Sequence, residues 1–225
     1  MAGGGVSSLY DQLEDVQYFE DELHAAVMAA EDAGTYVMVH VYVPEAIRRA
    51  IRAGVKSIEH GQLIDEPTMK LIAEKGVWLS MQPFIGEGNN HYTNPVQQAK
   101  HELVVQGTDR AYQLAKKYGV KLAWGTDLLF SPANARNQNL NIEKMTRWFS
   151  NFEILKMITH DNAELLALSG RRNPYPGKLG VIEEGALADL IVVDGNALED
   201  IKVLTDPGKN MLLIMKDGKI YKNDL

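Results

Sequence analysis

Ala53-Gly54-Val55-Lys56-Ser57-Ile58 carries the reading of the fold. A glycine ends one amphipathic helix, and a short, mostly apolar run follows at once. The same phrase stands at Ala33-Gly34-Thr35-Tyr36-Val37-Met38-Val39, at Lys75-Gly76-Val77-Trp78-Leu79 and at Tyr118-Gly119-Val120-Lys121-Leu122-Ala123-Trp124. Glycine is the residue expected just past a helix C-terminus, where the chain turns left-handed. Short apolar runs of this kind are the mark of parallel strands buried on both faces.

Working outward, the intervening segments read as helices. Pro44-Glu45-Ala46-Ile47-Arg48-Arg49-Ala50-Ile51 opens with a proline suited to a first helical turn. It gathers Ala46, Ile47, Ala50 and Ile51 on one face and leaves the arginines elsewhere. Asp65 is placed to cap a helix running to Lys75. Residues 18–33 and 95–118 have helical pattern, the second with an expected break at Gly107. A further helix spans 151–168 and ends at Ser169-Gly170. Helix–strand alternation with short loops predicts an α/β fold with a parallel sheet. Past residue 168 the character changes. Leu190-Ile191-Val192-Val193 and Leu212-Leu213-Ile214-Met215 read as strands, and Lys216-Asp217-Gly218-Lys219 as a hairpin turn. The expected division is therefore 1–168, a helix–strand domain, and 169–225, a small β element.

Composition narrows the function. The 225 residues are 45% hydrophobic and 24% charged, enough to bury a core, and the net charge of −7 argues against a nucleic-acid partner. Zero cysteines exclude disulfides and thiolate chemistry. No apolar run approaches the ~20 residues that span a bilayer, so no membrane partner is expected. Met1-Ala2-Gly3-Gly4-Gly5 lacks the pattern of a signal peptide, and localisation stays open. There is no Gly-x-Ser-x-Gly elbow, which disfavours a serine esterase.

The polar residues fall at strand ends: His40 after the first, Glu59-His60 after the second, Gln82 after the third, Gly125-Thr126-Asp127 after the fourth. The carboxyl ends of parallel strands form the ligand face. Two imidazoles and a carboxylate there suit a divalent metal, zinc or manganese, which makes water nucleophilic near neutral pH. Asp127 also fits a turn cap. Tyr42, two residues beyond His40, is a candidate substrate contact, as is Gln82. Tyr36, Trp78 and Trp124 read as strand core. His24, His91, His101 and His160 default to structural or solvent roles.

Val39-His40-Val41-Tyr42, Ser57-Ile58-Glu59-His60-Gly61 and Trp124-Gly125-Thr126-Asp127 resemble the fifth-, sixth- and eighth-strand motifs of the amidohydrolase superfamily, in its imidazolonepropionase-like and Xaa-Pro dipeptidase-like branch. Gly177-Lys178-Leu179-Gly180-Val181-Ile182-Glu183-Glu184-Gly185-Ala186-Leu187-Ala188-Asp189-Leu190 is similar to the segment that returns those enzymes to a small β-sandwich. The resemblance implies His40, His60 and Asp127 as ligands of a metal, zinc first with manganese or iron as alternatives, and Asp127 as proton shuttle. It implies hydrolysis of a small amide, ester or dipeptide. The family's first-strand His-x-His is absent, and its fourth-strand lysine would fall upstream of residue 1. A full (β/α)₈ barrel takes about 250 residues; about 165 precede the β tail here. The resemblance thus implies a partial TIM-type barrel, about its C-terminal half. Open sheet edges and an apolar inner face then predict a homo-oligomer or a complementing N-terminal half. The alternative is an inactive or weakly active metal-binding half-barrel that needs a partner chain to complete the site.

Overall fold

A computed structural model describes residues 1–86, 92–128, 132–175 and 177–225. The chain divides into two compact units, Met1–Gly125 with Leu168–Arg172, and Thr126–Ala167 with Asn173–Leu225.

In the first unit four strands, β1 (Met38–Val41), β2 (Ser57–His60), β3 (Trp78–Met81) and β4 (Leu122–Trp124), form one parallel sheet in sequence order. Val39, Ile58, Leu79 and Leu122 stand side by side across it, and Ile58 and Leu79 are fully buried. Parallel neighbours in sequence order need a long crossover between each pair, usually a helix. The three crossovers are made by α2 (Pro44–Arg52), α3 (Glu66–Lys75) and α4 (Pro95–Tyr118), and α1 (Glu20–Asp32) precedes β1. On α2 the buried side chains are Ala46, Ile47, Ala50 and Ile51, the face expected from spacing. Asp65 caps α3, accepting from the Thr68 amide at 2.9 Å. All four phrase glycines hold positive φ, and Gly76 and Gly119 end their helices left-handed at 63° and 62°. The first strand runs one residue past His40, and Tyr36 lies ahead of it in the connecting loop.

The expected break at Gly107 does not occur; α4 is continuous for 24 residues. The reason is a close approach: a Cβ at Gly107 would stand 2.3 Å from the carbonyl oxygen of Gln62. Glycine is there to let a helix backbone press on a loop backbone, and the helix absorbs its weak propensity over many turns.

In the second unit, residues 151–167 are helical throughout, with a π-helical segment at Met157–Asp161 between regular helix at Asn151–Lys156 and Asn162–Ala167. Ser150 and Glu153 form a reciprocal cap at its start. A separate antiparallel sheet orders β5 (Leu190–Val193), β6 (Met211–Lys216) and β7 (Lys219–Asn223). Its hairpin turns through Asp217 and Gly218, both at positive φ, as the Asp-Gly signal requires.

Gly107→Ala tests the close approach. In an ordinary helix interior the change stabilises by about 1 kcal/mol. Here overpacking against Gln62 should reverse the sign and cost about 1–3 kcal/mol, read as a lower midpoint in chemical denaturation. A stabilised variant would refute the packing argument.

Candidate metal centre

Register brings the first pair together. Val41 of β1 lies opposite His60 of β2, and His40 opposite Glu59. His60 closes its strand at φ 80°, a left-handed backbone that costs a β-carbon residue about 1–2 kcal/mol. The turn is tied down immediately, the Gly61 amide donating to the Val41 carbonyl at 2.9 Å. The result is two imidazoles with ring centres 4.4 Å apart, crossed at 79°.

Each ring is held by one nitrogen. His40 Nε2 lies 3.1 Å from the Gly4 carbonyl oxygen, which can only accept, so the proton sits on Nε2 and the Nδ1 lone pair is left over. His60 Nδ1 lies 2.7 Å from Gln82 Oε1, leaving the lone pair of its Nε2. Burial pushes the His40 imidazole below its ordinary range. Burial, reinforced by the nearby His40, pushes His60 down to about 3. Both rings are therefore neutral at pH 7, the form that binds metals. The donor set fits a divalent metal: two imidazole nitrogens with lone pairs, each ring oriented by a hydrogen bond on its other nitrogen.

Tyr42 is 2% exposed. Its ring stacks on His60 at 4.6 Å and 26° and meets His40 edge-on at 5.2 Å. It belongs to an apolar cluster with Val6, Leu13 and Val104. Gln82, 4% exposed, sits behind His60. The structure thus gathers four of the five candidate residues, His40, His60, Tyr42 and Gln82. Asp127 follows β4 by three residues at φ 51°, exposed and in the second unit, and is not among the four.

Sequence reasoning missed Lys100. It stands on the buried stripe of α4 with Val104, Thr108, Ala111 and Ala115, where a lysine is out of pattern. That anomaly was its one readable signal. Its ammonium donates to the carbonyls of Gly5 at 3.2 Å and Ser8 at 2.9 Å, and to that of Asp11. Three donors matched to three acceptors satisfy a buried Lys and fix the loop that presents Gly4 to His40.

The remaining histidines are elsewhere. His24 is exposed and contacts the Ala53 carbonyl at 3.3 Å. His101 is buried near the rings of Phe84 and Tyr92, and His91 lies outside the described residues. Among the described residues, one set of three ligand-type side chains converges within 4.8 Å: His160, Asp161 and Glu164 of the second unit. Asp161 there is already paired with Lys156. No helix among the described residues is long and apolar enough to cross a membrane.

A sequence model described as the amidohydrolase family matches residues 1–221. Ochratoxinase of Aspergillus niger is 33% identical over 226 residues, covering 99% of this chain and 45% of that protein. A crystal structure of a prolidase complexed with N-methylphosphonate-L-proline is similar at TM-score 0.88 and 36% identity, over 99% of this chain and 53% of that one. A Xaa-Pro dipeptidase with bound methionine matches at TM-score 0.83 and 32% identity, with 99% and 53% covered. The chain spans about half the length of the relatives it matches.

The neutral pair has a stability signature. As pH falls, unfolded chain takes up a proton on His60 near pH 6.5, whereas folded chain resists until about 3. Stability is therefore intact above pH 6.5 and should fall by about 1.4 kcal/mol per pH unit below it. Urea denaturation at pH 7 and pH 4.5 should show this loss, and His60→Gln should flatten it. Equal pH slopes in the two proteins would count against a buried, neutral His60.

Proposed function

The chain belongs to the amidohydrolase family, and from that premise we propose that it is a metal-dependent hydrolase of amide C–N bonds, with ester-like bonds as a secondary substrate class. The superfamily typically uses a divalent metal; zinc is the first assignment here, with manganese or iron as alternatives. The observation that carries the reading is the histidine pair, two neutral rings 4.4 Å apart, each with one nitrogen engaged from behind and one lone pair left over.

His40 Nδ1 and His60 Nε2 would hold the ion. A divalent metal supplies Lewis acidity, which makes water a nucleophile near neutral pH. Asp127 is assigned the proton: its carboxylate accepts one as water attacks and returns it to the leaving nitrogen. That assignment rests on Trp124-Gly125-Thr126-Asp127 and its likeness to the family motif. Tyr42 walls the site, and its stacking on His60 excludes water from one face of the ring. Small dipeptides are the substrate class to screen first, since a prolidase and a Xaa-Pro dipeptidase are among the similar structures.

The same reading treats the parallel sheet as part of a TIM-type barrel and residues 169–225 as the returning β segment of a composite sandwich. The four-stranded sheet with β1 and β4 at its ends supports a second arrangement, in which another copy or a complementing N-terminal half closes the site. Sedimentation at micromolar concentration should then show a dimer or larger; a stable monomer that turns over dipeptides would dispose of it.

Metal analysis of protein purified without chelators, paired with turnover, tests the main reading. His40→Ala and His60→Ala should lose metal. Asp127→Asn should keep it and lose at least about 100-fold in kcat. Unchanged hydrolysis in all three variants would sink the assignment.

A further inference from the structure

Behind His60 and Gln82 lies a second buried amide, Gln62, which is 0% exposed. Its backbone is fixed on three sides. The Gly61 amide donates to Val41 O at 2.9 Å, the Leu63 amide donates to Tyr42 O at 3.2 Å, and Gly107 faces its carbonyl. Its side-chain oxygen, Oε1, is buried without a hydrogen-bond partner. A side chain that leaves one polar atom unmet is better replaced by an apolar one, unless its other polar atom does something an apolar group cannot.

Gln62 Nε2 is 3.4 Å from the backbone oxygen of Gln82 and 3.4 Å from Gln82 Oε1. The backbone oxygen settles the orientation of both amides, because it can only accept. The atom of Gln62 that faces it must be the NH₂ group. The atom of Gln82 that faces that NH₂ group must be an acceptor, so Oε1 points inward. Oε1 is also the atom 2.7 Å from His60 Nδ1, and an oxygen there requires the ring to donate. A neutral imidazole with its proton on Nδ1 has its lone pair on Nε2.

We propose that Gln62 is a positioning residue for His60, acting through Gln82 to hold the imidazole in the tautomer that presents Nε2. Without Gln62, the Gln82 amide satisfies His60 equally well in either orientation. In one, Oε1 accepts from Nδ1–H; in the other, the NH₂ group donates to a bare Nδ1 and the proton moves to Nε2, which removes the ligand atom. The consequence for metal binding rests on the reading of His60 as a ligand; the tautomer itself does not.

The test is a two-bond ¹H–¹⁵N correlation spectrum of the histidine rings in the ¹⁵N-labelled, metal-free full chain at pH 7.5, with His60→Gln used to assign His60. Wild type should show His60 protonated on Nδ1. In Gln62→Met, His60 should populate both tautomers while His40, held by Gly4, is unchanged. Gln62→Glu is nearly isosteric and, at a pH where its carboxyl is ionised, accepts only, so there it should draw the Gln82 NH₂ group round and shift His60 to Nε2–H. It serves if the methionine variant fails to fold, with the spectra taken up to about pH 9 so that the buried carboxyl is ionised. Wild type protonated on Nε2, or retention of Nδ1–H in either folded variant, overturns the proposal. Zinc titration of the same samples separates the two claims. Wild type should bind and Gln62→Met should bind about 10-fold more weakly. A wild type that binds no zinc defeats the ligand reading, while the spectra still decide the relay.

Discussion

The burial of His60 next to a second imidazole is the constraint on which the rest of the first unit depends. At 5% exposure and 4.4 Å from His40, the ring can carry charge only at a cost that pushes its pKa to about 3. A neutral buried imidazole must then find one donor or acceptor partner for each nitrogen, or offer one to a ligand. Gln82 meets Nδ1, and nothing in the described protein is hydrogen-bonded to Nε2. The same division of labour holds at His40, with Gly4 behind and Nδ1 in front. Two rings left half satisfied in this way offer two lone pairs to a ligand.

The surrounding elements can be understood as supports for that arrangement. β1 and β2 set the spacing through parallel register. α4 reaches the site twice. Lys100 gathers the loop carbonyls that bring Gly4 to His40, and Gly107 lets the helix bear on the Gln62 carbonyl. One long helix thus bears on the loop that carries Gly4, the partner of His40, and on Gln62, which touches the Gln82 partner of His60. Its continuity across a glycine is what makes the two supports rigid with respect to each other.

The periodic features were legible in the sequence and the long-range ones were not. Four glycine-to-strand phrases announced a parallel sheet in chain order, and the apolar face of α2 followed from its spacing. His40 and His60 stood out because strand ends are where parallel folds place chemistry. Gly107 was misread as a break because local propensity knows nothing of a carbonyl from a loop 45 residues earlier. The roles of Lys100 and Gln62 were hidden for the same reason, although the misplaced lysine itself could be read: each acts through partners distant in sequence or through a side chain whose direction no pattern encodes. Tyr42 was placed near the mouth by counting from His40 and Gln82 by standing at the end of the third strand, but their stacking and hydrogen bonding are properties of packing. The π-helical segment at Met157–Asp161 had no sequence signal at all.

The central claim is that His40 and His60 together form the metal centre. X-ray absorption at the zinc edge, on chain loaded with one equivalent, tests it most directly, because imidazole rings leave a multiple-scattering signature that counts them. The account predicts two imidazoles in the first coordination shell. A shell with a single imidazole among carboxylate oxygens would place the ion at His160, Asp161 and Glu164 and contradict it.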